Sequence, residues 1–252
     1  NYYSSSKCMN YWSKIYEKTE KSRIKNIFVP RLNLVKQILS ENKIKKINHL
    51  VEVGAGYGWF CRLAQKNNLA KSITAIEPSK ITSKKCRKIP NINVIESTIE
   101  KIPSLNADVI VNFELVEHLF DPQPFLKSCY NGLNKNGLLI LTTPNYFGLD
   151  IQLLKNQHES VVAPNHLNFF NPKSLSYLLK KIGFKKINVI TPGILDVDIM
   201  VSKLKSGVIK DSDYPFFSYI KNQNSSSLID DIQKIIQKHN LSSNMLISAK
   251  KY

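Results

Sequence analysis

Five short apolar runs, "INHLVEV", "SITAIE", "INVIES", "ADVIVNF" and "GLLILTT", recur through residues 47–143, each β-branched and nearly continuous rather than alternating. Strands of a parallel sheet covered by helices on both faces have this pattern, because no position along them faces water. Helix-like stretches lie between them at 59–66, 79–88 and 123–133. Strand and helix in turn at this spacing predict βαβ units and a doubly wound α/β sheet. Downstream, "NPKSLSYLLKKIGF" reads as a helix that Ser174 caps and Gly183 ends. "KKINVIT" reads as a sixth strand, 192–226 as irregular chain, "LIDDIQKIIQKHN" as a helix and "NMLISAK" as the last strand. Ahead of Lys46 come a polar, aromatic opening and an amphipathic helix over 31–40, with Leu32, Val35, Ile38 and Leu39 on one face.

A chain of 252 residues is long enough to bury a large single core. The expected organisation is an N-terminal aromatic and helical flank or lid over 1–45 and a main domain over 46–252. An insertion at about 192–243 separates the last two strands of that domain. The formal charge of +17 raises nucleic acid or an anionic surface as a partner. Of the 36 basic residues, however, only four are arginine, and the lysines are scattered along the chain. Phosphate-reading surfaces favour the planar fork of arginine, so a nucleic-acid partner is not expected. Cys8, Cys61, Cys86 and Cys129 stand at no paired spacing, which suggests neither a disulfide framework nor a zinc site. No apolar run approaches the roughly 18 residues of a membrane span. The expected compartment is the cytoplasm; the oligomeric state is left open.

Candidate chemistry begins at "VEVGAGYGWF", residues 51–60. Gly54, Gly56 and Gly58 follow a strand and open a helix, where the chain can turn tightly and a ligand can approach backbone and helix N-terminus. A dinucleotide loop would need glycine at 59, where Trp59 stands, so the spacing is G-x-G-x-G. Some twenty residues on, Glu77 ends the second strand, a place from which a carboxylate can accept hydrogen bonds from both hydroxyls of a ribose.

With acidic Glu52 two residues before the first glycine, this stretch resembles the first motif of class I S-adenosylmethionine-dependent methyltransferases. "ELVEHLFDP" after the fourth strand and "TTPN" at the end of the fifth resemble the family's later motifs, and the resemblance runs over residues 46–191. It implies a Rossmann-like, seven-stranded, mostly parallel sheet with helices on both faces and an antiparallel last strand. It implies S-adenosylmethionine as cofactor and S-adenosylhomocysteine as product. The loop of Gly54, Ala55, Gly56 and Gly58 would wrap the cofactor's amino-acid end, with Glu52 helping to orient its ammonium. Glu77, followed by Pro78, would take the ribose, and Thr98 and Ile99 would meet the adenine. Asn112, Phe113 and Glu114 would lie beside the cofactor at the end of the fourth strand. "HLNFFNPKSLSYLLKKIGF" resembles a branch acting on ubiquinone precursors, sugars and other small molecules. Relatives in that branch carry a Y-x-C-x-x-C zinc pair where this chain has Ser5 and Cys8, so no metal is expected.

Methyl transfer to a hydroxyl requires a proton to leave near neutral pH, and histidine is the side chain suited to that. His118, after the fourth strand, and His166, in "PNHLNFF", are the candidate catalytic residues, with an ionisation expected near the ordinary imidazole value. Tyr11, Tyr16, Arg23, Arg31, Asn145 and Tyr146 are candidate substrate contacts. The Asn/Asp-Pro-Pro-aromatic motif of amino-group methyltransferases is missing; "NFEL" occupies its place at 112–115. The expectation is O-methylation of a sugar or biosynthetic intermediate as small-molecule acceptor. An RNA or protein methyltransferase, or a cofactor-binding module without catalysis, are the alternatives.

Overall fold

The computed structural model describes residues 18–252 except 103 and 162–164. Seven strands form one sheet: β1 (His49–Val53), β2 (Ser72–Ile76), β3 (Asn93–Ile95), β4 (Ala107–Phe113), β5 (Leu133–Pro144), β6 (Lys185–Ile190) and β7 (Asn244–Lys250). Their spatial order is β3-β2-β1-β4-β5-β7-β6. β1 to β5 pair in parallel, and β7 runs antiparallel between β5 and β6. Order reverses at β1 and β4, and such a switch point opens a crevice at the carboxyl ends of the strands.

Helices cover both faces because the strands are apolar on both. On one side lie α1 (Val29–Glu41), α2 (Trp59–Lys66) and α3 (Lys80–Cys86), which bury Leu32, Val35, Ile38, Leu39, Phe60 and Ala64 against Leu50, Val109, Val111 and Ile140. On the other, α4 (Pro122–Gly132) and α6 (Pro172–Ile182) bury Phe125, Leu126, Leu175 and Leu179 against Val51, Ile110, Leu139 and Ile247. The short α5 (Leu149–Leu154) leaves the end of β5. The helix expected over 31–40 is one end of a longer helical run that begins at Glu20 and passes through a π-helical turn, Ile24–Phe28. No helix among the described residues is long and apolar enough to cross a membrane.

Two local expectations are corrected. The segment read as irregular over 192–226 holds α7 (Asp196–Lys205) and α8 (Pro215–Gln223), which with α9 (Ser226–Lys238) enclose a separate apolar cluster of Val197, Met200, Leu204, Phe217, Ile220 and Ile236. The spacing 197, 200, 201, 204 is a helical stripe, hidden by the acids and lysines between its members. The cap of α6 is Asn171, not Ser174. Asn171 Oδ1 accepts from the amides of Lys173 and Ser174 at 3.0 and 2.9 Å, and Ser174 Oγ accepts from the Asn171 amide at 3.0 Å, a reciprocal capping box. Asn171→Ala should therefore cost about 1 kcal/mol in urea unfolding, and Ser174→Ala less, because only Asn171 satisfies two orphan helix donors.

Candidate active site

The loop between β1 and α2 is built on left-handed backbone at Gly54, Gly56 and Gly58, with φ of 75°, 53° and 70°. At Gly58 a Cβ would stand 2.5 Å from Cys86 Sγ and 2.7 Å from Ile89 Cδ1, so glycine there is demanded by packing. At Gly56 a Cβ would meet nothing within 4 Å. That residue opens onto space where a ligand can reach the backbone, and in this respect the loop fits the cofactor. Several loop amides are already committed to the chain itself. Gly54 and Ala55 both donate to the Ile76 carbonyl, at 2.8 and 3.2 Å, and Gly58 donates to Ala55 at 2.8 Å. Gly56 donates to Glu77 Oε2 at 2.8 Å, while Glu77 Oε1 accepts from the Ser79 amide at 2.9 Å. Glu77 thus clamps the loop. Burial raises its pKa, and the two amides oppose that rise. Pro78 beside it is exposed.

Glu52 is buried, and one of its oxygens accepts from Cys61 N–H at 3.2 Å and from Cys61 Sγ at 2.9 Å, bracing the first turn of α2. Burial pushes its pKa up to about 7. Thr98 is exposed ahead of the turn Ile99–Lys101, but the Ile99 side chain is 1% exposed within the core and offers no open face to a base. Asn112 is fully buried, and neither atom of its amide has a partner among the described residues. Unpaired buried amides are costly, so this one marks a place for a further polar group.

At the end of β4 the Arg31 guanidinium lies over Phe113, 5.0 Å from its ring centre, and 3.5 Å from Glu114 Oε1. Arg31 and Phe113, assigned separately to substrate and cofactor, therefore touch one another. Burial lowers the Arg31 pKa, against the pull of Glu114. Glu114 takes φ of 51°, and its Oε1 accepts from Thr142 Oγ1 at 2.6 Å and from Asn244 Nδ2 at 3.2 Å. Non-glycine residues in this region are uncommon and repay attention near sites.

His118 and His166 meet, ring centres 4.7 Å apart. His118 Nδ1 donates to the Asn165 carbonyl at 2.6 Å and His166 Nδ1 to the Ser160 carbonyl at 2.7 Å. A carbonyl only accepts, so each ring carries its proton on Nδ1 and its lone pair on Nε2. Burial and the neighbouring His166 lower the His118 pKa, so its ionisation falls below the ordinary imidazole value expected from sequence. Glu117 stands 3.8 Å from His118 Nε2, with its other oxygen bonded by Thr143 Oγ1 at 2.9 Å. Burial drives its pKa up to about 8. One atom each from Glu117, His118 and His166 lies within 4.8 Å of the others, a grouping able to share a proton or to hold one cation. No ligand spacing joins the two histidines in the sequence, because His118 and His166 stand 48 positions apart.

Tyr11 and Tyr16 lie outside the described residues. Arg23 sits half-buried on the helical turn before Arg31. Asn145 is fully buried, donates to the Ser242 carbonyl at 2.8 Å and accepts from the Phe147 amide at 3.1 Å. Tyr146 is exposed and packs 5.4 Å from the Phe169 ring. Sequence reading missed Glu117, Thr142, Thr143 and Asn244. Glu117 lay in view beside His118, whereas no local signal ties Asn244 to Glu114.

A buried acid protonated in the fold stabilises it at low pH, and that stability is lost as pH rises through the folded pKa. For Glu117 the window runs from about 4.5 to about 8. Glu117→Gln should unfold at higher urea than the parent at pH 8, by roughly 1–3 kcal/mol, with the difference shrinking toward pH 5.

Comparison with known proteins agrees with this geometry. Residues 26–189 match the methyltransferase domain family. A probable S-adenosylmethionine-dependent methyltransferase of Mycobacterium tuberculosis is 28% identical over 138 residues, 54% of this chain and 48% of that protein, so the match spans about half the length of that relative. A ubiquinone biosynthesis O-methyltransferase of Rickettsia akari is 26% identical over 80% of this chain and 78% of its own. Among solved structures, a SAM-dependent methyltransferase of Thermotoga maritima superposes with a TM-score of 0.63 at 18% identity, covering 97% of this chain and 96% of that one. The switch-point crevice, the glycine loop clamped by Glu77 and the family match together make this chain a member of the class I S-adenosylmethionine-dependent methyltransferases.

Proposed function

We propose that the chain methylates a hydroxyl of a small molecule, a sugar or biosynthetic intermediate, with S-adenosylmethionine as donor. The observation that carries the reading is the pairing of His118 with His166, two rings presenting Nε2 lone pairs beside the loop ends that flank the crevice. When bound, the cofactor supplies an activated methyl group. The Gly54–Gly58 loop and Glu77 would hold its amino-acid and ribose parts, with Phe113, Glu114 and Asn112 nearby. The remaining work belongs to the chain: aligning the acceptor, excluding water and removing a proton. His118 takes that proton at Nε2 while Asn165 holds Nδ1–H, and His166 orients the acceptor. Exposed Phe120, Phe147, Leu167 and Phe169 rim the same loops, which favours an acceptor with an apolar portion. The likeness to a protein named for ubiquinone biosynthesis supports the same direction.

Glu77→Ala should weaken S-adenosylhomocysteine binding by roughly 10- to 150-fold in calorimetry, because a charge-assisted acceptor and the clamp on Gly56 are lost together. Incubation of a cell extract with the enzyme and methyl-labelled cofactor should place label in the small-molecule fraction. Label in RNA or protein would overturn the acceptor class, and no transfer at all would favour a module without catalysis. With the labelled acceptor in hand, His118→Ala should lose about 10²- to 10⁴-fold in kcat with cofactor affinity retained, and the parent's rate should rise with pH through an ionisation below about 6.5. His166→Ala should chiefly raise KM.

A further inference from the structure

We propose that His158, held by Asp150, is a positioning residue that decides which nitrogen of His166 carries the proton. The inference rests on the placement of His166 in the acceptor site proposed above. Asp150 is fully buried in the first turn of α5, and His158 is 6% exposed. Asp150 Oδ1 accepts from the Ile151 amide at 2.8 Å, and Oδ2 lies 3.0 Å from His158 Nε2. The Ser160 amide donates to His158 Nδ1 at 2.9 Å. Nδ1 must then be the lone-pair nitrogen, and the ring proton sits on Nε2 facing the carboxylate.

The geometry passes this order on to His166. The side chain of His158 fixes the peptide plane before Ser160, through the Ser160 amide. Its carbonyl fixes the plane after Ser160, by accepting from the Val161 amide at 2.9 Å. The Ser160 carbonyl lies in that second plane and accepts from His166 Nδ1 at 2.7 Å. Both planes that aim this carbonyl are therefore tied to one residue. That residue is tied in turn to α5, which is anchored by Gly148 N–H on the Asn145 carbonyl at 2.7 Å and Leu149 N–H on the Leu241 carbonyl at 2.8 Å. A line of contacts runs from the end of β5 through Asp150, His158 and Ser160 to His166. Without it a neutral imidazole samples both tautomers, and the other one puts the proton on Nε2 and removes the lone pair with which His166 would meet the acceptor.

Long-range nitrogen–proton spectra of the full chain labelled with ¹⁵N-histidine read each neutral tautomer directly and need no acceptor. In the parent, His166 should show a proton-bearing Nδ1 and a pyridine-like Nε2. His158→Gln keeps a donor for Asp150, and so the fold, but leaves no acceptor at the position of Nδ1, where the Ser160 amide bonds. It should shift the His166 tautomer ratio toward Nε2–H by about fivefold, the factor carried by one hydrogen bond of roughly 1 kcal/mol. His158→Asn should restore the parent ratio, because its Oδ1 accepts from the amide two residues on, as in an Asx turn. A parent His166 protonated on Nε2, or an unchanged ratio in His158→Gln, would overturn the proposal. A His166→Ala variant with KM unchanged and the spectra as expected would overturn the acceptor-site reading instead.

Discussion

Removing carboxylates from water at the carboxyl edge of one sheet is the constraint on which this structure depends. Glu52, Glu77 and Glu117 all stand there with almost no exposure. A buried charge is tolerated only when hydrogen-bonded or neutralised, and the three acids meet that demand in different ways. Glu77 is satisfied by the backbone it organises, since the amides of Gly56 and Ser79 hold one oxygen each. Glu52 secures the start of α2 through Cys61. Glu117 has one oxygen on Thr143 and the other toward His118, and burial leaves it with a high proton affinity. The glycine loop, the entry of α2 and the histidine pair are therefore set by the same desolvation problem.

Under the proposed function, that arrangement separates binding from chemistry along the crevice. On the β1 and β2 side, left-handed glycines and a clamped loop create an opening beside Gly56 with no side chain to fill it. On the β4 and β5 side, low polarity lowers the proton affinity of His118 and raises that of Glu117, so both groups favour their neutral forms. A neutral imidazole whose Nδ1 proton is taken by a backbone carbonyl is a proton acceptor at its other nitrogen. The backbone carbonyls of Asn165 and Ser160 thus do as much for the reading of a hydroxyl acceptor as the rings themselves.

Much of this was legible along the chain. The continuous apolar runs predicted strands covered on both faces, and every one of them is a strand. The stripe Leu32, Val35, Ile38 and Leu39 predicted a packed helix, and all four residues are buried. Gly54, Gly56 and Gly58 announced positive φ by residue type alone. Less legible was α7, because a short amphipathic stripe between charged residues resembles a loop when the partner that buries it lies some thirty residues away, on α9. Asn145, a polar residue after a strand, reads as a ligand contact, and only the structure shows its amide engaged by Ser242 and Phe147.

The sequence by itself determined the elements, the parallel core and the loop that marks the family, since these rest on local conformational freedom and on the periodicity of apolar side chains. Only the tertiary structure decided which polar groups meet. Glu114 reaches Asn244 across 130 positions, His118 finds Asn165 across 47, and Ser160 reaches His158 through a turn whose shape no composition reveals. Hydrogen bonds form between atoms a few ångströms apart at particular angles, and chain separation carries no information about that distance until the strands have packed. Proton location follows from those bonds, and so the protonation pattern of Glu117, His118 and His166 is decided only by folding.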